Sequence, residues 1–252
     1  MNSIGFGLGA FALFSAISLT TLTLHRRLPD SHLSKETQDA VKMGVGMVVV
    51  LSAFVLGLLI ASVKTTFDAA ARDLERFSTE IVLLDRSLRA YGPQALPTRN
   101  LLEHYVERAL TDTWPTDHRP EMVEDPQAEQ LLYEIQDAIL GLPSDTIRQR
   151  ALDDELKSEV RQLIAQRWTL IEDATGSLNV PIFCILVVWL GLVFASFGYK
   201  APRNTLVVAT FILCAASVAG ALFLIIEMDS AFEGLIKVSA VPLQTALAHM
   251  QQ

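Results

Sequence analysis

Cysteine is nearly absent: Cys184 and Cys214 are the two in 252 residues. Both fall inside long apolar runs, where a thiol behaves as a small hydrophobe. They say nothing firm about redox compartment, and no zinc-type Cys/His spacing exists. The five histidines (His25, His32, His104, His118 and His249) are scattered, and no HExxH is present. Glu103, His104 and Glu107 share one helical stretch, and a solvated helix face accounts for them. A phosphate-binding glycine loop and a nucleophile elbow are also missing. Catalysis is unsupported, and neither cofactor nor metal is expected.

Charge is missing from four long stretches. Ile4–Leu24 carries none, Met43–Val63 is flanked by Lys42 and Lys64, Val180–Tyr199 ends at Lys200, and Thr205–Ile226 ends at Glu227. A hydrocarbon core roughly 30 Å thick needs about 20 helical residues. In lipid each backbone N–H and C=O must find an internal partner, so runs of this kind form helices. The first run lacks the basic start of a cleavable leader, and a second full span follows it. The expected fold is all-α: four transmembrane helices in two pairs around a helical, partly coiled-coil extramembrane domain. The divisions are 1–63 (first pair), 64–177 (acidic helical domain), 178–226 (second pair) and 227–252 (amphipathic C-terminal segment).

What charge there is concentrates in the middle. Residues 64–177 hold 13 Lys/Arg against 22 Asp/Glu, while the whole chain has a formal charge of −8. An acidic domain without a basic stripe is a poor partner for phosphate backbones, so nucleic acid is set aside. The two short inter-span loops carry Arg26, Arg27, Lys35, Lys42, Lys200 and Arg203; the opposite side carries Lys64, Arg72, Arg76, Arg161, Arg167 and Lys237. The counts tie, but the loops pack theirs more densely, which leans toward cytoplasmic loops.

The most regular pattern begins in the second span and continues beyond it. Apolar residues recur at Ala53, Leu56, Ile60, Val63, Phe67, Ala70, Leu74, Phe77, Ile81, Leu84, Leu88 and Tyr91, alternating steps of three and four. That is a coiled-coil seam on one helix of more than 50 residues, with Ser34 as N-cap and Gly92-Pro93 as stop. Asp85 and Arg89 read as an i,i+4 pair on the solvated face. Thr98 is expected to cap a helix to about Thr113, and Pro115–Pro126 to be a loop. A short helix should follow, with Leu131, Leu132, Ile135 and Ile139 inward, then a long one capped by Ser144 to about Thr175. Gly176 and Pro181 break that helix from the third span. The segment after Glu227 suits a helix at the membrane interface or packed on the bundle.

Small residues step by four within the spans: Gly5 and Gly9; Ala53, Gly57 and Ala61; Ala216 and Gly220. They permit close helix approach, within the chain or between copies, and together with a protruding seam they point to a homo-oligomer. Ser52, Leu56, Ile60 and Val63 are candidates for an ion path along the second span. Glu227 and Asp229 end the fourth span, either as a solvated helix terminus or as an acidic ring at a pore mouth. Arg203 and Asn204 are turn residues or a contact to another span.

Several of these residues together resemble a bacterial membrane family of unassigned function described as bestrophin-like. The likeness is carried by Leu28-Pro29…His32-Leu33-Ser34, Leu84-Asp85-Arg86…Tyr91-Gly92-Pro93, Trp114-Pro115, Phe197-Gly198…Ala201-Pro202-Arg203-Asn204 and Glu227-Met228-Asp229…Phe232…Gly234…Val238-Ser239…Pro242. Ala231 stands where the pattern would have proline. The resemblance implies a homo-oligomeric ion channel, a pentamer by analogy with bestrophins, whose second span lines the axis. It implies a multi-pass protein of the cell (inner) membrane, with lipid, further copies of itself and ions as partners. Bestrophins keep the helical domain in the cytosol, opposite to the loop-charge lean, so the side stays open. Calcium-binding and neck residues find no one-to-one counterparts. The other reading is a membrane-anchored scaffold or sensor whose helical domain binds a protein partner, motivated by the absence of charge at depth in any span.

Overall fold

The computed structural model describes residues 3–24, 35–115, 126–174, 176, 178–198, 201–202 and 204–252. Among them the chain forms helices and no strand: α1 Ser3–Leu24, α2 Lys35–Tyr91, a 3₁₀ turn Pro93–Ala95, α3 Leu96–Thr113, α4 Pro126–Leu140, α5 Ile147–Ala174, α6 Val180–Phe197, α7 Thr205–Asp229 and α8 Val241–Met250. Four are long and apolar enough to cross a membrane: α1, α2, α6 and α7. The chain forms two compact units, Met1–Thr65 with Ser177–Asp229, and Thr66–Gly176 with Ser230–Gln252. The 57-residue α2 contributes to both.

In the first unit α1 packs on α6 and α7. Its core is phenylalanine-rich: Phe14 stacks on Phe194 at 4.9 Å between ring centroids, Phe194 meets Phe197 at 5.1 Å, and Phe197 stacks on Phe211 at 5.6 Å. α2 joins this core through Leu59 and Val63, with Val55 and Leu56 partly buried against it. Asn179 caps α6, its side chain accepting from the Ile182 amide at 3.4 Å. Asn204 caps α7 likewise, accepting from the Val207 amide at 2.8 Å. That makes Asn204 a helix-capping turn residue; Arg203 lies outside the described residues.

The small-residue steps do not make the packing inside this unit. Gly5, Gly9, Ala53, Gly57, Ala61, Ala216 and Gly220 are all exposed, and a Cβ at Gly9, Gly57 or Gly220 would meet nothing within 4 Å. Close approach falls instead on Gly7, Ala10, Ala215, Ala219 and Gly198.

The second unit is organised by the seam of α2. Ala70, Leu74, Phe77, Ile81, Leu84, Leu88 and Tyr91 are buried with residues of α3, α4, α5 and α8 in one core. The expected stripe is therefore present but does not protrude; from Ala70 onward it is covered within the chain. Each of the leucine, isoleucine and phenylalanine side chains removed from water is worth roughly 1.5–3 kcal/mol, so the chain's own helices satisfy most of the face assigned to copy-to-copy contact. Gly92 turns α2 out of its axis at φ 113°, a conformation that penalises any Cβ.

Two caps differ from expectation. α3 opens at Leu96 with Pro97 in its first turn, and Thr98 is buried inside the helix. Proline suits that position because its missing N–H would be unpaired there anyway. α5 opens after Thr146, whose hydroxyl accepts from the Gln149 amide at 3.1 Å while Gln149 accepts from the Thr146 amide at 3.0 Å. This is a reciprocal capping box, and it displaces Ser144. Ser34 lies outside the described residues, as does most of the expected loop at 116–125. α8 packs through Leu243, Ala246 and Met250 on the core of the second unit.

A Cβ at Gly198 would overlap the backbone of Leu22 and come within 2.7 Å of the Thr21 side chain. Neither backbone can yield cheaply. Gly198→Ala should therefore cost about 1–3 kcal/mol, read as a lower thermal midpoint in detergent. Gly191→Ala, whose Cβ would make an ordinary 3.8 Å contact with Ile17, should be tolerated.

Candidate functional site

The sequence candidates fall at three places. The first is the span of α2, which is the least buried of the four spans. Ser52 and Val63 are buried, Leu56 is half-buried, and Ile60 is exposed. Successive residues turn by about 100°, which puts Ser52, Leu56, Leu59 and Val63 on the side facing the chain's own core. The opposite side carries Met43, Met47, Val50, Phe54 and Leu58, each more than half exposed. Ala53, Gly57 and Ala61 lie beside that stripe and are exposed too. Nothing charged interrupts either face between Met43 and Val63.

The second place is the end of α7, which runs through Glu227 to Asp229. Glu227 is 3% exposed, so it is not the solvated helix end that its position suggested. The Asp229 carboxylate accepts a hydrogen bond from the Leu178 amide at 2.8 Å, just ahead of α6. A carboxylate near a helix N-terminus is favoured by the helix dipole and by the unpaired first-turn amides.

The third place is a clamp around Asp85. Its side chain is buried, not solvated: one oxygen accepts from Arg99 Nε at 2.6 Å and the other from Arg89 Nε at 2.8 Å. The same guanidiniums close the end of α8. Arg89 donates to the carbonyls of His249 at 3.0 Å and Met250 at 2.7 Å, and Arg99 also donates to Met250. Cations at a helix C-terminus satisfy its orphan carbonyls. Arg86 is exposed, while Pro93 begins the 3₁₀ turn. Sequence spacing revealed Asp85 with Arg89, but neither Arg99 nor the α8 carbonyls carries a short-range signal.

Also unforeseen is a cavity of about 50 Å³ within the second unit, lined by Tyr105, Asp112, Thr113, Trp114, Arg167 and Phe232 among others. Burial pushes the Tyr105 phenol up to about 12, with the Arg167 charge opposing. Substrate pockets run to roughly 300–1,000 Å³, so this space suits a few waters rather than a substrate. Trp114 Nε1 donates to the Val238 carbonyl at 2.9 Å, and its ring meets Phe232 edge-on at 5.8 Å. This pins the segment after α7 to the second unit's core. Among the described residues no three His, Cys, Asp or Glu side chains converge as a metal site.

Comparison with known proteins agrees with the fold. A family description, "Bestrophin-like domain", matches residues 12–243. Crystal structures of two single-residue variants of a bacterial bestrophin homologue from Klebsiella pneumoniae superpose with TM-scores of 0.65 and 0.66 at 13% and 14% identity. The first alignment covers 99% of this chain and 97% of the other, the second 97% of each. No curated protein matches by sequence.

Removing the negative charge from the clamp leaves two guanidiniums facing each other. Asp85→Asn should cost roughly 3–5 kcal/mol, the range for breaking one side of a buried ion pair. Arg86→Gln, altering an exposed neighbour, should stay within about 0.5 kcal/mol. Denaturant titration of the purified full chain, followed by helical circular dichroism, distinguishes them.

Proposed function

Because this chain belongs to the bestrophin-like family and shares its fold with a bacterial bestrophin homologue, we propose that, like the bestrophins, it is a homo-oligomeric ion channel of the inner membrane. Copies assemble around an axis, five of them by analogy with bestrophins, and the exposed side of α2 faces that axis. The observation that carries this reading is the division of α2. Ser52, Leu59 and Val63 hold it to its own unit, while Met43, Met47, Val50, Phe54 and Leu58 are left uncovered by the chain.

Small-residue steps on α1, α2 and α7 support assembly. They are exposed in the single chain, and in lipid such positions let helices of neighbouring subunits approach closely. Ser52 and Val63 then act as packing residues behind the lining, and Ile60 sits at its edge. Ion passage along an uncharged, thioether-lined and aromatic-lined stripe would depend on its width and hydration rather than on charge at depth. Buried Glu227 and hydrogen-bonded Asp229 act on the frame of the path rather than as a free acidic ring.

Two measurements test this. Purified protein in liposomes should pass ions, and Phe54→Ala should change the flux severalfold; flux no greater than in empty liposomes would turn the reading toward a membrane-anchored scaffold. Separately, Gly57→Leu places a bulky side chain where the single chain has open space. It should preserve helicity while shifting light-scattering mass from oligomer toward single subunit. An unchanged mass would remove α2 from the subunit contact.

A further inference from the structure

The segment after Glu227 is suited by its sequence to the membrane interface or to a packed bundle, and the structure divides it between two environments. Its helix, α8, is buried in the core of the second unit. The loop ahead of α8 is not. The Val238 amide donates to the Ala231 carbonyl at 2.8 Å, so residues 232–237 leave and return at one point. Phe232 and Val238 are buried at the base of this bulge, and Trp114 holds the base through the Val238 carbonyl. Gly234 turns the chain at φ 86°, a conformation that favours glycine.

Beyond the base the side chains turn outward. Leu235 is 71% exposed and Ile236 37%, with Glu233 and Lys237 exposed on either side of them. Loop tips are ordinarily built from small and polar residues. An aliphatic pair on an anchored turn leaves apolar area in water that a cover would remove.

Position along the chain identifies the cover. α7 ends at Asp229, whose carboxylate holds the Leu178 amide two residues ahead of α6. Two spans therefore meet the edge of the hydrocarbon together at this point. Leu235 follows six residues later, and at about 3.3–3.6 Å per residue even an extended chain carries it no further than about 22 Å. Leu96, Leu140 and Ile147 are exposed too, but each lies more than 30 residues from the nearest of the four charge-free runs. Glu233 and Lys237 cancel in charge, so attraction to headgroups adds little and the apolar pair carries the contact.

We propose that this loop is a membrane-surface anchor: Leu235 and Ile236 insert between headgroups and acyl chains of the same bilayer that α6 and α7 cross. The base of the loop, fixed by Trp114, ties the core of the second unit to that surface.

The test places a nitroxide spin label on Leu235→Cys in the full chain, with Cys184→Ala and Cys214→Ala removing the native thiols. The protein is reconstituted in phosphatidylethanolamine–phosphatidylglycerol liposomes. The ratio of collisions with lipid-soluble oxygen to collisions with a water-soluble nickel chelate should be severalfold higher than for the same label on Tyr133→Cys, an exposed position of α4. An equal ratio at the two sites puts the loop in water and overturns the proposal. A label at 235 that is immobilised and shielded from both collision partners also overturns it, because another copy or a protein then covers the loop. If Leu235→Cys misfolds, Ile236→Cys carries the same label with the same readings. No ion flux is measured, so the outcome is independent of the channel reading.

Discussion

One side of α2 has to stay apolar from Ala53 to Tyr91 while its surroundings change, and the chain's architecture rests on that constraint. Within the span the solvent is lipid, so burial against the bundle gains packing contact but little hydrophobic free energy. Beyond Thr66 the same periodic face is removed from water, and there the hydrophobic term is the main driving force. The burial pattern follows that difference. α2 is mostly uncovered through its span, yet every seam residue from Ala70 on that is spaced to face inward is covered.

This explains which parts of the fold could be read from the amino acids. The spans are compositional facts, and the seam is a periodicity; both are legible because they need no knowledge of partners. Gly92-Pro93 and Gly176 were equally readable, since each marks a local backbone break. The identity of what covers the seam was less so. A stripe of this spacing serves a second copy or the chain's own helices equally well, and only the tertiary arrangement chooses between them. The choice here is intramolecular.

The misread positions share a cause. Asp85 looked solvated because its helical neighbours are charged, yet its function in the fold comes from Arg99 and from carbonyls more than 150 residues away. Glu227 looked exposed because it ends an apolar run, and it is buried. Thr98 and Ser144 obeyed capping statistics but lost to stronger local signals, Pro97 in a first turn and the Thr146–Gln149 box, which the sequence did contain. The small-residue steps were visible as a pattern; that they lie outward rather than inward depends on helix rotation, which spacing by four cannot report. The candidate path on α2 carries the same ambiguity. The helix was identifiable, whereas the face presented away from the bundle was not.

The bond from Leu178 to Asp229 spans 51 residues and joins the start of α6 to the end of α7. During synthesis the beginning of the third span therefore emerges long before the carboxylate that fixes it. Until then its leading amide has only water or lipid headgroups for company. Stable seating of this hairpin must wait for the whole of it to leave the ribosome, so the two segments are expected to settle into the bilayer as a pair rather than one after the other.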